Sequence, residues 1–307
     1  MLDRIPIKND QEFLVGKVLA YNSISKMWSL DHYTKCSFRC AYCIFDSQGN
    51  SLSTVNPDNF IEILKKDFET AACSKYFTPG TTRIVMSCLT DPYTEIESRL
   101  GLTRKAIEFF MNAGQPFSII TRGTIIEKDI DLLLSHGEKC DVSFSLPIAD
   151  EKYLDKYEPH LPPLKDRIRA IFETHKAGIK TTVRICPWIP GITDVELILS
   201  LLPDDVEVLV SPLYLSEIFN PLIESDIHQN INREGLLINK YVSFVSDGAG
   251  LTAANIFKKI TQNDINNAFI KESTRIGWRK GVMWFCPYES YPDMIENFYR
   301  CIKLNFR

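Results

Sequence analysis

From about residue 28 to residue 211 the chain alternates short β-rich runs with amphipathic helical stretches, and this order restricts the fold more than any other feature. A strand, a helix and another strand in succession form a parallel pair with a right-handed crossover, and repetition builds a parallel sheet whose functional groups collect where strands end. Six runs qualify as strands: 28–33, 83–88, 117–121, 141–146, 180–185 and 207–211. Between them, Asn56-Pro57 supplies an N-cap and a first-turn proline, after which Phe60, Leu64, Phe68 and Ala71 recur along one face. The stretch 101–113 carries Leu102, Ala106, Phe109 and Phe110 on one stripe, and shorter helices are predicted at 127–136 and 194–202. The strongest pattern is 163–177, with Leu164, Ile168, Ile171 and Phe172 as its buried face and His175 on the same stripe as a packing histidine.

The fold class is therefore α/β, a partial (β/α)6 TIM-type barrel over 25–215, preceded by a polar arm at 1–24 and followed by a C-terminal α/irregular extension at 216–307. In that extension a helix is expected from Ile227 to Val245, and the aromatic-rich end either closes the barrel and lines the substrate pocket or, more plainly, forms a second packing layer. A net charge of -4 argues against general attraction to polyphosphate. The first ten residues lack the apolar core of a signal peptide and no apolar run is long enough to span a bilayer, so the reading is a cytoplasmic protein. Nine cysteines, an odd number, fit reduced thiols and a metal site better than a disulfide framework.

The unusual residues fall on the strand ends. Cys36-x3-Cys40-x2-Cys43, with Tyr42 before the last cysteine and Asp31-His32-Tyr33-Thr34-Lys35 before the first, follows strand one. Cys88-Leu89-Thr90-Asp91-Pro92-Tyr93 follows strand two, Thr121-Arg122-Gly123 follows strand three, and Ser143 and Ser145 close strand four. Arg184 through Gly191 close strand five and Ser211-Pro212-Leu213-Tyr214 close strand six. Three cysteines can ligate three irons of a cubane cluster and leave the fourth without a protein ligand.

The cysteine spacing resembles the cluster loop of the radical S-adenosylmethionine (SAM) superfamily. Thr90-Asp91-Pro92-Tyr93, Glu97, Leu102-Thr103-Arg104, Thr121-Arg122, Glu158-Pro159 and Pro187-Trp188-Ile189-Pro190-Gly191 narrow the resemblance to its spore photoproduct lyase-like branch, over about residues 25 to 215. The resemblance implies an enzyme with two cofactors, a 4Fe-4S cluster on Cys36, Cys40 and Cys43 and SAM on the open iron. Reductive cleavage of SAM is then followed by abstraction of a hydrogen atom from the substrate. It also implies a reductant such as flavodoxin or ferredoxin.

Matching motif positions assigns the remaining roles. Tyr42 is the aromatic on the cofactor side of the loop; the backbone around Thr90 and Asp91 meets the SAM amino group, with Asp91 as an added acceptor. Arg122 meets the SAM carboxylate, where related enzymes often carry lysine. Ser143 or Ser145 binds the ribose hydroxyls, Arg184 helps hold the carboxylate, and Leu213 and Tyr214 flank the adenine. Cys88 keeps the spacing to Asp91 of a cysteine that, in the type enzyme of the branch, returns a hydrogen atom to the product radical.

Plainer readings stand beside these: a turn at Asp91-Pro92, serines that finish a strand end, an arginine in an ion pair, a buried small thiol at 88. For the substrate, a small molecule or nucleotide competes with a lesion in DNA, the latter making the protein a repair lyase; the acidic charge favours the former. A reading from another class is a zinc-binding interaction protein, with His32 completing a Cys3His tetrahedron.

Overall fold

The computed structural model describes residues 3–7, 11–15, 18–22, 27–33, 36–43, 57–87, 90–213, 244–246, 251–253, 262–276 and 281–284. Its centre is the expected parallel sheet. The six strands are β4 (Met27–Leu30), β5 (Ile84–Met86), β6 (Phe117–Thr121), β7 (Cys140–Ser145), β8 (Thr181–Trp188) and β9 (Glu207–Pro212), each paired in parallel with the next.

Two additions extend the sheet to ten strands. The stretch read as a polar arm forms an antiparallel meander, β1 (Asp3–Ile7), β2 (Gln11–Val15) and β3 (Leu19–Asn22), with β3 pairing onto β4. These strands are only four or five residues long and begin or end on polar residues, Asp3 and Arg4, Gln11 and Glu12, and Asn22, so the sequence gives them no long apolar run. At the far edge β12 (Val282–Trp284) adds in parallel to β9, so part of the C-terminal third belongs to the sheet itself. A separate hairpin pairs β10 (Phe244–Ser246) with β11 (Leu251–Ala253). It corrects the helix expected up to Val245, whose other residues lie outside the described ones; Phe244 and Val245 are strand formers.

The helices are α1 (Phe60–Ala72), α2 (Glu97–Leu100), α3 (Leu102–Asn112), α4 (Ile130–His136), α5 (Glu151–Tyr157), α6 (Leu164–Lys176), α7 (Val195–Ser200) and α8 (Gln262–Ile276). A short 3-10 turn at Pro57–Asn59 precedes α1, so the N-cap is Asn59 rather than Asn56. Strand residues of one parity, Phe117 and Ile119, Val142 and Phe144, Val183 and Ile185, join Phe60, Leu64, Ile107, Phe110, Ala170 and Ile198 of the helices in one apolar core. The other parity, Ser118 and Ile120, Ser143 and Ser145, Arg184 and Cys186, faces the inner side of the sheet.

One helix departs from expectation at a single apolar position: Leu164, Ile168 and Ile171 pack on the core as expected, and Phe172 does not. In α6 the buried positions are Arg167, Ala170, Ile171 and Thr174, whereas Phe172 is 42% exposed. Arg167, paired with Glu158 at 2.9 Å, is buried along the edge of the stripe that packs. His175 also leaves the core, and its Nε2 lies 2.8 Å from Asp205 Oδ1 at the surface.

Candidate active site

The loop after β4 sets three thiols on two consecutive turns. Cys40 is buried, Cys36 and Cys43 are half-buried, and all three are outside any disulfide. Arg39, with φ 45°, reverses the chain between the turns, and Cys43 N donates to Cys40 O at 2.9 Å to close the second. Burial pushes the Cys36 thiol up to about 11 and Cys40 up to about 12, against the lowering influence of nearby Arg122. Thiolates this deep need more positive charge than one guanidinium supplies, and a bound metal centre supplies it.

Three thiols on one short loop are the donor chemistry that an iron–sulfur cluster takes. Among the described residues no three His, Cys, Asp or Glu side chains converge on one point as a mononuclear site demands. A cubane cluster instead takes each thiolate on a different iron, so its ligands stand apart around it. Thr103 Oγ1 donates its one proton to Pro92 O at 2.6 Å, so His32 Nε2, 2.9 Å away, must be the donor to that hydroxyl. The buried ring is thus a neutral imidazole held through Nε2, with Nδ1 unpartnered, and burial lowers its pKa to about 3.

Around the thiols the strand ends interlock. Asp91, buried, accepts from Tyr93 N at 2.9 Å and Thr121 Oγ1 at 2.7 Å through Oδ1, and from Arg122 N at 2.6 Å through Oδ2. Burial raises its carboxyl above the usual range while these three donors pull it down. Its geometry is that of a clasp between the β5 and β6 loops. Gly123 follows immediately, and a Cβ there would strike the Tyr93 carbonyl, so the close approach of the two loops requires glycine. Thr90, half-buried, donates from Oγ1 to Tyr33 O at 3.4 Å.

The clasp presents Arg122. Its guanidinium lies over the Tyr42 ring, 5.7 Å from the centroid, and Nη2 reaches Cys186 O at 3.4 Å. Its Nε is buried without a partner. Ser145 pairs in register with Arg184, and Arg184 with Leu209, so the inner row runs from β7 across β8 to β9. Ser143 is on the same face of β7 one pleat below. Leu213 is buried, with its N–H bonded to Trp188 O at 2.9 Å, and it packs in a small apolar cluster with Phe38, Cys40, Tyr42 and Tyr157. The structure thus gathers Cys36, Cys40, Cys43, Tyr42, Thr90, Asp91, Arg122 and Leu213 at one rim, with Ser143, Ser145 and Arg184 on the inner face. Cys88 and Tyr214 lie outside the described residues.

Three site residues had no role in the sequence reading. Glu97 accepts from the Tyr33 hydroxyl, from Thr103 N at 3.0 Å and from Arg104 N at 3.2 Å, fixing the end of β4 to the start of α3. Glu158 accepts from the Tyr42 hydroxyl and is paired with Arg167. The signals were present as Glu97, as Glu158-Pro159, and as a cation inside the apolar stripe of α6.

Residues 30–201 match the model of the radical SAM superfamily. An uncharacterized protein of Mycobacterium tuberculosis is 26% identical over 174 residues, 54% of this chain and 51% of that protein. The radical SAM Nα-GlyT isomerase of Pseudomonas phage M6 is 29% identical over 168 residues, 51% of this chain and 32% of that protein. The chain thus spans about half the length, or less, of these relatives. Among solved structures, a spore photoproduct lyase variant superposes with TM-score 0.53 at 17% identity over 94% of this chain and 79% of that one. Another, holding AdoMet and dinucleoside spore photoproduct, gives TM-score 0.52 at 16% identity over 85% and 76%. At these identities the likeness is one of fold.

Proposed function

The chain belongs to the radical SAM superfamily, and from that premise we propose that it abstracts a hydrogen atom from a nucleotide-like small molecule held at the barrel mouth. It is an enzyme, and its cofactors are a 4Fe-4S cluster and SAM. When bound, these supply the one-electron chemistry that removes a hydrogen atom from carbon.

Cys36, Cys40 and Cys43 hold the cluster in this reading and leave one iron to SAM. Arg122, kept at the rim by Asp91 and Gly123, offers its fork to the SAM carboxylate, and its unpartnered Nε supports that role. Ser143, Ser145 and Arg184 bind ribose and carboxylate from the inner face, while Leu213 and Tyr214 border the adenine. Thr90 and Asp91 shape the loop whose backbone meets the amino group. Cys88 is the proposed hydrogen donor back to the product, and flavodoxin or ferredoxin the reductant.

The observation that carries this reading is the placement of three free thiols on adjacent turns beside Arg122 and Tyr42. The nucleotide preference draws on the dinucleoside in the similar spore photoproduct lyase structure, and the net charge of -4 favours a small substrate over a long polyanion. Among the described residues no helix is long and apolar enough to cross a membrane. The test is anaerobic incubation with SAM, dithionite and deuterated nucleosides, nucleotides or oligonucleotides, followed by mass spectrometry of 5′-deoxyadenosine. Deuterium transferred from a nucleotide supports the reading, and transfer only from an oligonucleotide replaces it with a DNA-directed one.

A further inference from the structure

The cysteine loop is moored on one side to the end of α5. Ala41 N donates to Tyr157 O at 2.8 Å, and at the next residue the Tyr42 hydroxyl donates to Glu158 Oε1. The other carboxylate oxygen accepts from Arg167 Nη1 at 2.9 Å. Arg167 stands in the first half of α6, and the two side chains are 4% and 0% exposed.

Such a pair is costly to bury. Each ion loses several kcal/mol of hydration, and apolar side chains of similar size commonly replace buried pairs with no loss of stability. An apolar pair, however, offers no acceptor to Tyr42. A lone carboxylate would offer one and set an unbalanced charge beside Cys40, two residues away and itself buried. Arg167 uses its charge more than its donors, since its Nε is buried without a partner. The Cys40 sulfur lies within the influence of the Arg122 guanidinium, the Glu158 charge and the Tyr42 hydroxyl.

We infer that Glu158 and Arg167 are positioning residues for the cysteine loop: Glu158 fixes the Tyr42 phenol beside Cys40, and Arg167 cancels the charge that this acceptor would otherwise place near the sulfurs. The inference rests on the reading of Cys36, Cys40 and Cys43 as cluster ligands. Its consequence is electrostatic. Glu158→Gln keeps the size and the acceptor oxygen but leaves Arg167, which does not release its proton, as an unbalanced buried cation. That cation favours adding an electron nearby. Removing it as well, in Glu158→Gln/Arg167→Met, restores neutrality.

The experiment compares wild type, Glu158→Gln and the double variant after anaerobic reconstitution with iron and sulfide, reading iron content and the EPR-monitored midpoint potential. The expected result is equal iron in all three, an upward shift of the Glu158→Gln reduction equilibrium by about tenfold, which for one electron is about 59 mV, and a return to within threefold of wild type in the double variant. Loss of the cluster from Glu158→Gln with retention in the double variant also supports charge cancellation. An unshifted Glu158→Gln, a double variant that behaves like the single, or loss of iron from both overturns the inference. Wild type that takes up no iron overturns the ligand assignment beneath it, so the two failures are distinct.

Discussion

The two ends of the barrel handle polar groups differently. At the N-terminal ends of the strands, Arg83 pairs with Asp141 at 2.5 Å, Ser118 Oγ donates to the same carboxylate at 2.9 Å, and Arg83 also reaches Phe117 O at 2.8 Å. Gln115, fully buried, accepts from Gly80 N at 2.8 Å and donates to Thr82 O. Donors there meet acceptors. At the C-terminal ends, His32 Nδ1, Ser87 Oγ, Thr94 Oγ1, Arg122 Nε, Trp188 Nε1 and Trp284 Nε1 are buried without partners, and Arg167 Nε joins them through Glu158 and Tyr42. Among the described residues, Thr174 Oγ1 in α6 is the remaining such atom. Ser87 also stands at φ 62°, a strained left-handed position for a serine. Unsatisfied groups and strain persist in folded proteins where function needs them, and a barrel keeps its chemistry at that end.

The largest effect expected from this contrast is on the cysteines. Replacing Cys36, Cys40 and Cys43 together by Ala removes bound iron and 5′-deoxyadenosine production entirely while leaving the far-ultraviolet circular dichroism of the apo-protein unchanged. A collapse of that spectrum would mean that the mouth also holds the fold together.

Acid sharpens the comparison next. His32 is neutral in the folded chain, with its pKa lowered to about 3, whereas the unfolded chain binds that proton below about 6.5. Between those values the unfolded state carries more protons, so stability is full above pH 6.5 and falls as pH drops toward 3, by up to about 4 kcal/mol. Urea titrations of apo wild type and His32→Gln across pH 4 to 7 check this: the wild-type slope against pH should exceed that of the variant.

A smaller loss is expected at the opposite end. Gln115→Ala leaves Gly80 N and Thr82 O without their partner and costs about 2 kcal/mol, visible as a lower midpoint in urea, with iron uptake and SAM cleavage at wild-type levels. A matching fall in activity would erase the division between the ends. Least of all, Arg275→Ala breaks exposed pairs with Glu196 and Glu272 and shifts stability by less than about 1 kcal/mol.

The six central strands were legible because the strand face covered by helices must be apolar and the crossovers must be amphipathic. The cysteine loop was legible because ligand spacing is local. What escaped depends on partners remote in sequence. Hydrophobicity places Phe172 of α6 inside along with Ile171, whereas the buried place beside Ala170 and Ile171 goes to Arg167, whose partner Glu158 lies on another element. Asp91 reads as an acceptor for a ligand, yet three of its lone-pair positions already hold Tyr93, Thr121 and Arg122, a fact of the fold rather than of the motif. The N-terminal meander was hidden because an edge ribbon needs little apolar patterning once β4 offers it a free edge.

The claim at the centre is that three thiols at the rim leave one iron open for SAM. The direct measurement is EPR of the dithionite-reduced, reconstituted protein with and without SAM. The account predicts about four irons per chain and a cluster signal whose g values shift when SAM is added. A signal that SAM leaves unchanged, or a protein that binds no iron, would contradict it.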